Sequence, residues 1–396
     1  MAIFAGQSAN SSFPEACSDR QLTKPWQRQN IPGGWGTNMT NVLTDILKEP
    51  AQLLVSLSYA LTTGSKELER AASLLRSAKT VIIAGIGASW HAGMAMQSVF
   101  LAQGRQTLLM DASELLYFAE LTAGTVVVLL SRSGRSIEIV RLLKKCRADS
   151  VSTIAITNSP DSTLARAADV VLCTNTDFDH GVSITTYTAI NLNATLLALW
   201  ACDYPVTILA DELRTSIEQS AAAIPQWRET IEMSGWTDTN AANYFLARGS
   251  SLSSCHEARL LWEEAAKMPA TALTTGGFRH GPQEMVHEGL RIGMWIDAER
   301  MRQQDLSLAA DLRSLGARVF LIGQALDAGA ASCVVSLPPI PSAFQSIIDV
   351  IPIQIAAEQL AALRGQDCDT FRLCSYIVQD EGGLGNSKLA TENAGA

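Results

Sequence analysis

TVVVLLSRSGRS, residues 125–136, sets six apolar or β-branched residues against three serines, two arginines and a glycine. Such an uninterrupted apolar run reads as a short strand buried on both faces. The glycine and serines end it in a turn, and IEIVRLLKKCRA (137–148) then takes up helical spacing. A strand ending in Ser131, Ser133, Gly134 and Ser136 before a helix offers three hydroxyls, a closely approachable backbone and free helix N–H groups. That combination suits a phosphate. A lone serine at such a place is more often a helix cap. Arg132 and Arg135 either add charge there or stay solvated.

The same alternation extends outward. TVIIAG (80–85) reads as a strand and GASWHAG (87–93) opens a helix, so Ser89 supplies a fourth hydroxyl at a neighbouring strand end. Residues 107–110, 152–156 and 169–172 read as further strands, and 185–199 as an apolar helix. Strands alternating with helices predict parallel βαβ units, an α/β fold. Upstream, 37–48 reads as a helix stopping before Pro50, and 51–79 as helices around Gly64. Residues 204–234 read as helical with a break at Pro225. The pattern then restarts, with strands in 243–251, 271–275, 291–295, 318–322 and 333–337 and helices over 255–267, 303–315 and 343–363. Overlaying the halves at an offset of 162 sets Gly87 on Gly249 and Ser89 on Ser251. This predicts two duplicated α/β subdomains. Residues 1–50 are an arm and helix, 51–203 the first subdomain, 204–236 a connector, 237–366 the second subdomain and 367–396 a tail. The second half has IGQALDAG (322–329) after RVFLIG and no hydroxyl cluster to match 131–136, so the phosphate belongs to the first half.

The 396 residues are 47% hydrophobic and 17% charged, with a net charge of −9. That composition excludes global disorder, and the charge disfavours a general nucleic-acid binder. An acidic chain that binds an anion must do so by local geometry. The apolar runs fall short of a membrane span, and the first twenty residues lack the pattern of a secretion signal. Eight scattered cysteines include no CxxC and are expected to be reduced, apolar fillers. Five histidines form no HExxH, and no metal site is expected. GxGxxG and GxxxxGK[ST] are both absent, which disfavours dinucleotides and Walker-type nucleotides.

HEARLLWEEAAKMPATALTTGGFRHGP (256–282) is the second half's own peculiarity. Glu257 and Glu264 lie two helical turns apart on one face, with Leu260 and Leu261 between them, while Glu263 points elsewhere. Against apolar surface a carboxyl pKa rises toward the range useful to a general base. Gly276, Gly277, Gly281 and Pro282 surround His280 and are expected to present its imidazole on a loop. His91, His180, His256 and His287 read as structural or surface residues.

GASWHAG, SRSGRS, GFRHGP (277–282) and the duplicated layout together resemble the sugar isomerase (SIS) domain family over roughly residues 39–381. The likeness is to the isomerase half of glucosamine-6-phosphate synthase and to stand-alone tagatose-6-phosphate isomerase or galactosamine-6-phosphate deaminase types. It implies two flavodoxin-like subdomains with five-stranded parallel sheets, a homodimer with a shared active site, and a sugar phosphate as ligand. It places Ser89, Ser131, Arg132 (through its backbone), Ser133 and Ser136 at the phosphate. It makes Glu264 the carboxylate that moves a proton between C1 and C2, Glu257 a second active-site carboxylate, and His280 the ring-opening histidine, supplied by the neighbouring subunit. The segment 367–381 matches the synthase tail, a C-terminal lid with Tyr376 and Glu381, but Tyr376 stands at the Schiff-base lysine. The chain starts Met-Ala-Ile, and the residues before Val81 are too few for a glutaminase domain, so glutamine-dependent synthesis is not expected. Phe278 in GGFRHGP is like the catabolic members. The expectation is a cytoplasmic, cofactor-free phosphosugar isomerase or amino-sugar-phosphate deaminase with no nucleic-acid or membrane partner. A deglycase of glycated amino-acid phosphates and a non-catalytic phosphosugar sensor are the alternatives.

Overall fold

The computed structural model describes residues 39–238 and 241–383. The expected arm before residue 39 and the end of the tail lie outside the described residues. Among the described residues, ten strands form two sheets. In the first, β1 (Thr80–Gly85), β2 (Leu108–Asp111), β3 (Thr125–Leu130), β4 (Ser152–Thr157) and β5 (Val170–Cys173) lie in the order β2-β1-β3-β4-β5. In the second, β6 (Asn243–Ala247), β7 (Thr271–Thr274), β8 (Arg291–Trp295), β9 (Arg318–Gln324) and β10 (Cys333–Leu337) lie in the order β10-β9-β8-β6-β7. All neighbouring strands are parallel. Read from β7, the second sheet repeats the order of the first, the flavodoxin-like order, so the duplicated α/β reading holds. Strand order reverses between β1 and β3, and again between β6 and β8. In open α/β sheets ligands bind beyond the strand ends at such switch points. The register Ala84↔Leu129 brings the end of β1 alongside that of β3.

β3 is buried along its whole length, as a strand covered on both faces must be. One face of each sheet feeds a shared core. Val81, Ile83, Val126 and Val128 from the first sheet and Phe245, Trp295, Phe320 and Ile322 from the second lie in one continuous apolar cluster. The helix Thr185–Ala201 fills its middle, with every residue but Trp200 buried. The outer faces pack separately, Val127 and Leu129 with Ile139 and Leu142, and Ile292 and Met294 with Leu312.

Two helix boundaries differ from the sequence reading. The helix Asn41–Leu61 runs through Pro50, so a boundary at residue 50 cuts a continuous element. The helix Val206–Ser234 likewise runs through Pro225. A proline removes one i→i−4 bond. Here the buried stripes Ile46, Leu53, Leu57 and Leu213, Ile217, Ile224, Ile231 supply tertiary packing that outweighs that loss. The C-terminal helical stretch is interrupted at Asp349, with Ile351–Leu363 following. Ser342–Leu363 is nonetheless long and apolar enough to cross a membrane by composition, contrary to the sequence reading; it is almost wholly buried in the fold. Cys146, Cys202, Cys255, Cys333, Cys368 and Cys374 are free. Cys173 is disulfide-bonded, which departs from the expectation of reduced cysteines.

Glu49 is fully buried. Its Oε1 accepts from Thr188 Oγ1 at 2.6 Å and Gln354 Nε2 at 3.3 Å, while its Oε2 and Gln354 Oε1 have no partner. A buried carboxylate oxygen without a donor favours the protonated form, and burial pushes the Glu49 carboxyl up to about 8. A raised folded-state pKa gives stability that is complete below the usual value near 4.5 and is lost as pH rises through about 8. Glu49→Gln, which needs no proton, is expected to raise Tm relative to wild type at pH 8–9 and to leave it nearly unchanged at pH 5. Thermal melts across this range check the expectation, and equal effects at both ends would refute it.

Candidate active site

The turn after β3 is held from within. Ser131 Oγ accepts the Gly134 N–H at 3.1 Å and Ser133 Oγ accepts the Arg135 N–H at 3.2 Å. The Arg132 carbonyl accepts from Asn158 N at 3.2 Å, Thr157 Oγ1 at 3.2 Å and Ser159 Oγ at 3.3 Å. Gly134 has φ +59°, and a Cβ there would stand 2.2 Å from Ser162 Oγ, so the turn admits no side chain. Ser136, not Ser133, is the N-cap of the helix Ile137–Ala148, and its hydroxyl makes no capping bond. The helix-cap reading therefore does not account for the serines. Across the switch point, Gly87 (φ +56°) opens the helix Ala88–Ala102, with Ser89 in its first turn. The hydroxyls of Ser89 and Ser136 have no hydrogen bond among the described residues. Hydroxyls and helix N-termini thus lie beyond two adjacent strand ends, an arrangement that suits an anion.

The second half shows how such a cradle is closed. The sequence comparison set SRSGRS against IGQALDAG after β9. The sheet order corrects this: β8, beside β6, is the counterpart of β3, so the matching turn is 296–301. There Asp297 Oδ2 accepts the N–H groups of Glu299, Arg300 and Met301 at 3.3, 2.5 and 2.7 Å. A carboxylate of the protein occupies the donors that an outside anion would need. The offset of 162 is sound at the first loop, where Gly249 has φ +56° like Gly87.

The carboxylates come from the helix Leu252–Glu264, which crosses the helix Ala88–Ala102 so that Leu260 closes on Gly87. His91 Nδ1 and Glu257 Oε2 meet at 2.8 Å, with side-chain exposures of 2% and 1%. Burial pushes Glu257 up to about 8, against the charges of Arg259 and Arg132. Glu264 is half-buried and raised to about 7, first by burial and then by Glu257; Arg132 and Lys267 oppose the shift. The Glu264 carboxylate makes no hydrogen bond or ion pair among the described residues. Glu263 pairs with Arg259 at 2.6 Å on another face, as expected from the spacing.

Arg132 connects cradle and carboxylates. Its guanidinium donates to Gly181 O at 3.3 Å and Tyr376 O at 3.1 Å and lies 4.1 Å from the centre of the Tyr376 ring. It is not solvated surface. The C-terminal segment follows this contact across the loop. Tyr376 Oη donates to Asp179 O at 3.0 Å, the Val378 carbonyl accepts the Ile137 N–H at 3.1 Å, and Glu381 pairs with Arg141 and accepts from Tyr117 Oη. His280 is not on a simple loop. It caps the C-terminus of the short helix Thr275–Arg279, which Phe278 anchors in the core. Its side chain is exposed and makes no hydrogen bond to a described residue. His91 was missed by sequence reasoning, because its partner lies 166 positions away and no local spacing links them. His180 also has a partner: its Nδ1 lies 2.7 Å from Asp45 Oδ1.

Residues 74–201 match the SIS domain family, so the first half carries an SIS domain. The chain is 28% identical over 384 residues to a glutamine–fructose-6-phosphate aminotransferase (isomerizing) of Pyrobaculum aerophilum, an alignment covering 93% of this chain and 62% of that protein. The chain thus spans less than two thirds of that relative's length. A glucosamine-6-phosphate deaminase from Thermotoga maritima superposes with a TM-score of 0.73 at 20% identity, covering 86% of this chain and 99% of that one. A tagatose-6-phosphate ketose/aldose isomerase from Escherichia coli superposes with a TM-score of 0.72 at 21% identity, covering 84% and 95%. These structures share the fold.

Gly134→Ala is expected to cost about 1–3 kcal/mol through the left-handed backbone and the clash with Ser162. It should also weaken binding of inorganic phosphate at least tenfold, read by calorimetry. Undiminished phosphate affinity in a folded variant would place the anion elsewhere.

Proposed function

We propose that this chain is a cofactor-free enzyme that moves a proton between C1 and C2 of a 6-phosphorylated sugar or amino sugar. One observation carries the reading: an anion cradle and a raised, uncommitted carboxyl, Glu264, are linked through the same guanidinium, Arg132. The phosphate is held by Ser89, Ser131, Ser133 and Ser136 and the backbone of Arg132. His280 of a partner subunit assists ring opening in a homodimer. Glu264 takes the proton from one carbon and returns it to its neighbour through an enediol-type intermediate. With an amine on C2, the same transfer gives an imine at C2; water adds to it and ammonia leaves, yielding the ketose 6-phosphate. With an amino acid on C1 of a ketose phosphate, the proton moves from C1 to C2, giving an imine at C1; water adds to it and the amino acid leaves, yielding the aldose 6-phosphate, a deglycation. Tyr376 has no amine and forms no imine with the sugar, so it serves the lid with Glu381. The deaminase and isomerase likenesses support this chemistry, and the acidic chain fits a cytoplasmic enzyme with no nucleic-acid or membrane partner.

The test is a screen of aldose, 2-amino-aldose and fructosamine-type 6-phosphates for ketose, ammonia or free amino acid. Glu264→Gln is expected to lower kcat by ~10²–10⁴-fold with phosphosugar affinity largely kept. Parallel loss of both would make Glu264 a binding residue. A base must be ionised, so kcat/KM should fall as pH drops below about 7. Mixing inactive Glu264→Gln with inactive His280→Ala should restore activity in hybrid dimers. No recovery after proven subunit exchange would place both residues in one chain's site.

A further inference from the structure

His91 stands on the helix Ala88–Ala102 of the first half and Glu257 on the helix Leu252–Glu264 of the second. Their 2.8 Å contact is the one hydrogen bond of the Glu257 carboxyl among the described residues. An ionised carboxylate so deeply buried requires several donors, and one imidazole N–H is a poor substitute for water. A neutral carboxyl needs only one acceptor for its proton, which a neutral imidazole provides. His91 is neutral at this depth: burial pushes its ring down to about 3. The hydrogen bond is therefore satisfied with the proton on Glu257 and its O–H donating to Nδ1.

The assembly around the pair fixes that arrangement. Ser253 Oγ donates to the His91 carbonyl at 2.7 Å, and Tyr187 Oη lies 2.7 Å from Ser253 Oγ. The ring of His91 sits among those of Trp90 and His256, at 5.8 and 5.7 Å between centres. The charged and titratable groups facing the pair are Arg132 and Asp179 from the first half's loops, Tyr187 from the helix Thr185–Ala201, and His256, Arg259, Glu263 and Glu264 from the helix carrying Glu257. Two carboxyls on one helix face resist ionising together.

We propose that His91 is a positioning residue, which keeps the proton on Glu257 and so leaves Glu264 free to ionise as the base. Glu257 is then a neutral neighbour of the base, and its ionisation sets the alkaline limit of the reaction. This deepens the proposed reaction and rests on it for the role of Glu264. The protonation of Glu257 itself does not depend on any substrate.

The test is infrared titration of the folded protein without ligand, following the C=O band of protonated carboxyls. The Glu257 band is identified by its loss in Glu257→Gln. In wild type it should be present at pH 7. His91→Leu removes the acceptor and should shift its disappearance down by ~1 pH unit or more. His91→Gln, whose amide oxygen can accept, should restore it. If the leucine variant does not fold, His91→Asn, which is too short for the contact, takes its place. A missing band in wild type overturns the proposal, as does a shift upward in the variant, because His91 then donates to a carboxylate. If the screen finds a substrate, the alkaline limb of kcat/KM should move down in His91→Leu, and kcat should fall ~10-fold with little change in KM. If no substrate is found, the proposed reaction is in question while the infrared result still decides the proton's place.

Discussion

The contact of His91 with Glu257 joins a helix that begins at the anion cradle to a helix that ends at Glu264. Under the proposed reaction, the phosphate is bound by one half of the chain and the carboxyls that act on its sugar belong to the other. The distance from phosphate to reacting carbon is set by the sugar, so the two halves must be held in fixed register. Packing of Leu260 on Gly87 and the buried polar chain His91–Ser253–Tyr187 supply that register. Such positioning is where catalysis gains most when the reacting groups are already aligned.

Duplication supplied two switch points, and the two now serve different ends. In the first, the N–H groups of Gly134, Arg135 and Ile137 are taken by Ser131, Ser133 and the Val378 carbonyl, while the hydroxyls of Ser89 and Ser136 and the Glu264 carboxyl have no partner among the described residues. In the second, Asp297 satisfies the turn's own N–H groups, and Arg248 is paired with the buried Asp305 at 2.7 Å. The second half's turn is closed on itself, and that half contributes the helix with the carboxyls. An overall charge of −9 is no obstacle to anion binding under this division, since the cradle acts at hydrogen-bond range.

Both sheets were legible as apolar runs between turn residues, because a parallel strand buried on both faces leaves a plain pattern. The hydroxyl-rich turn was legible because several serines and Gly134 crowd one stretch between strand and helix. The Glu257 and Glu264 face followed from helical spacing, and its burial from the leucines between them. What was hidden was tertiary. Pro50 and Pro225 looked like stops because the packing that overrides them comes from distant segments. His91 looked ordinary because its partner is on another subdomain, and Arg132 looked solvated because Tyr376, far along the chain, covers it. The counterpart of the serine turn was misplaced in the second half because strand order, not strand spacing, decides which ends are neighbours.

The fate of the hydrogen on C2 tests the proton transfer most directly. A 2-deuterated aldose or amino-aldose 6-phosphate that binds the protein can be incubated with it and followed by NMR. The deuterium should leave C2, appearing on C1 or in water. Deuterium that stays on C2 in every tightly bound phosphosugar would contradict the assignment of Glu264 and leave only a binding protein.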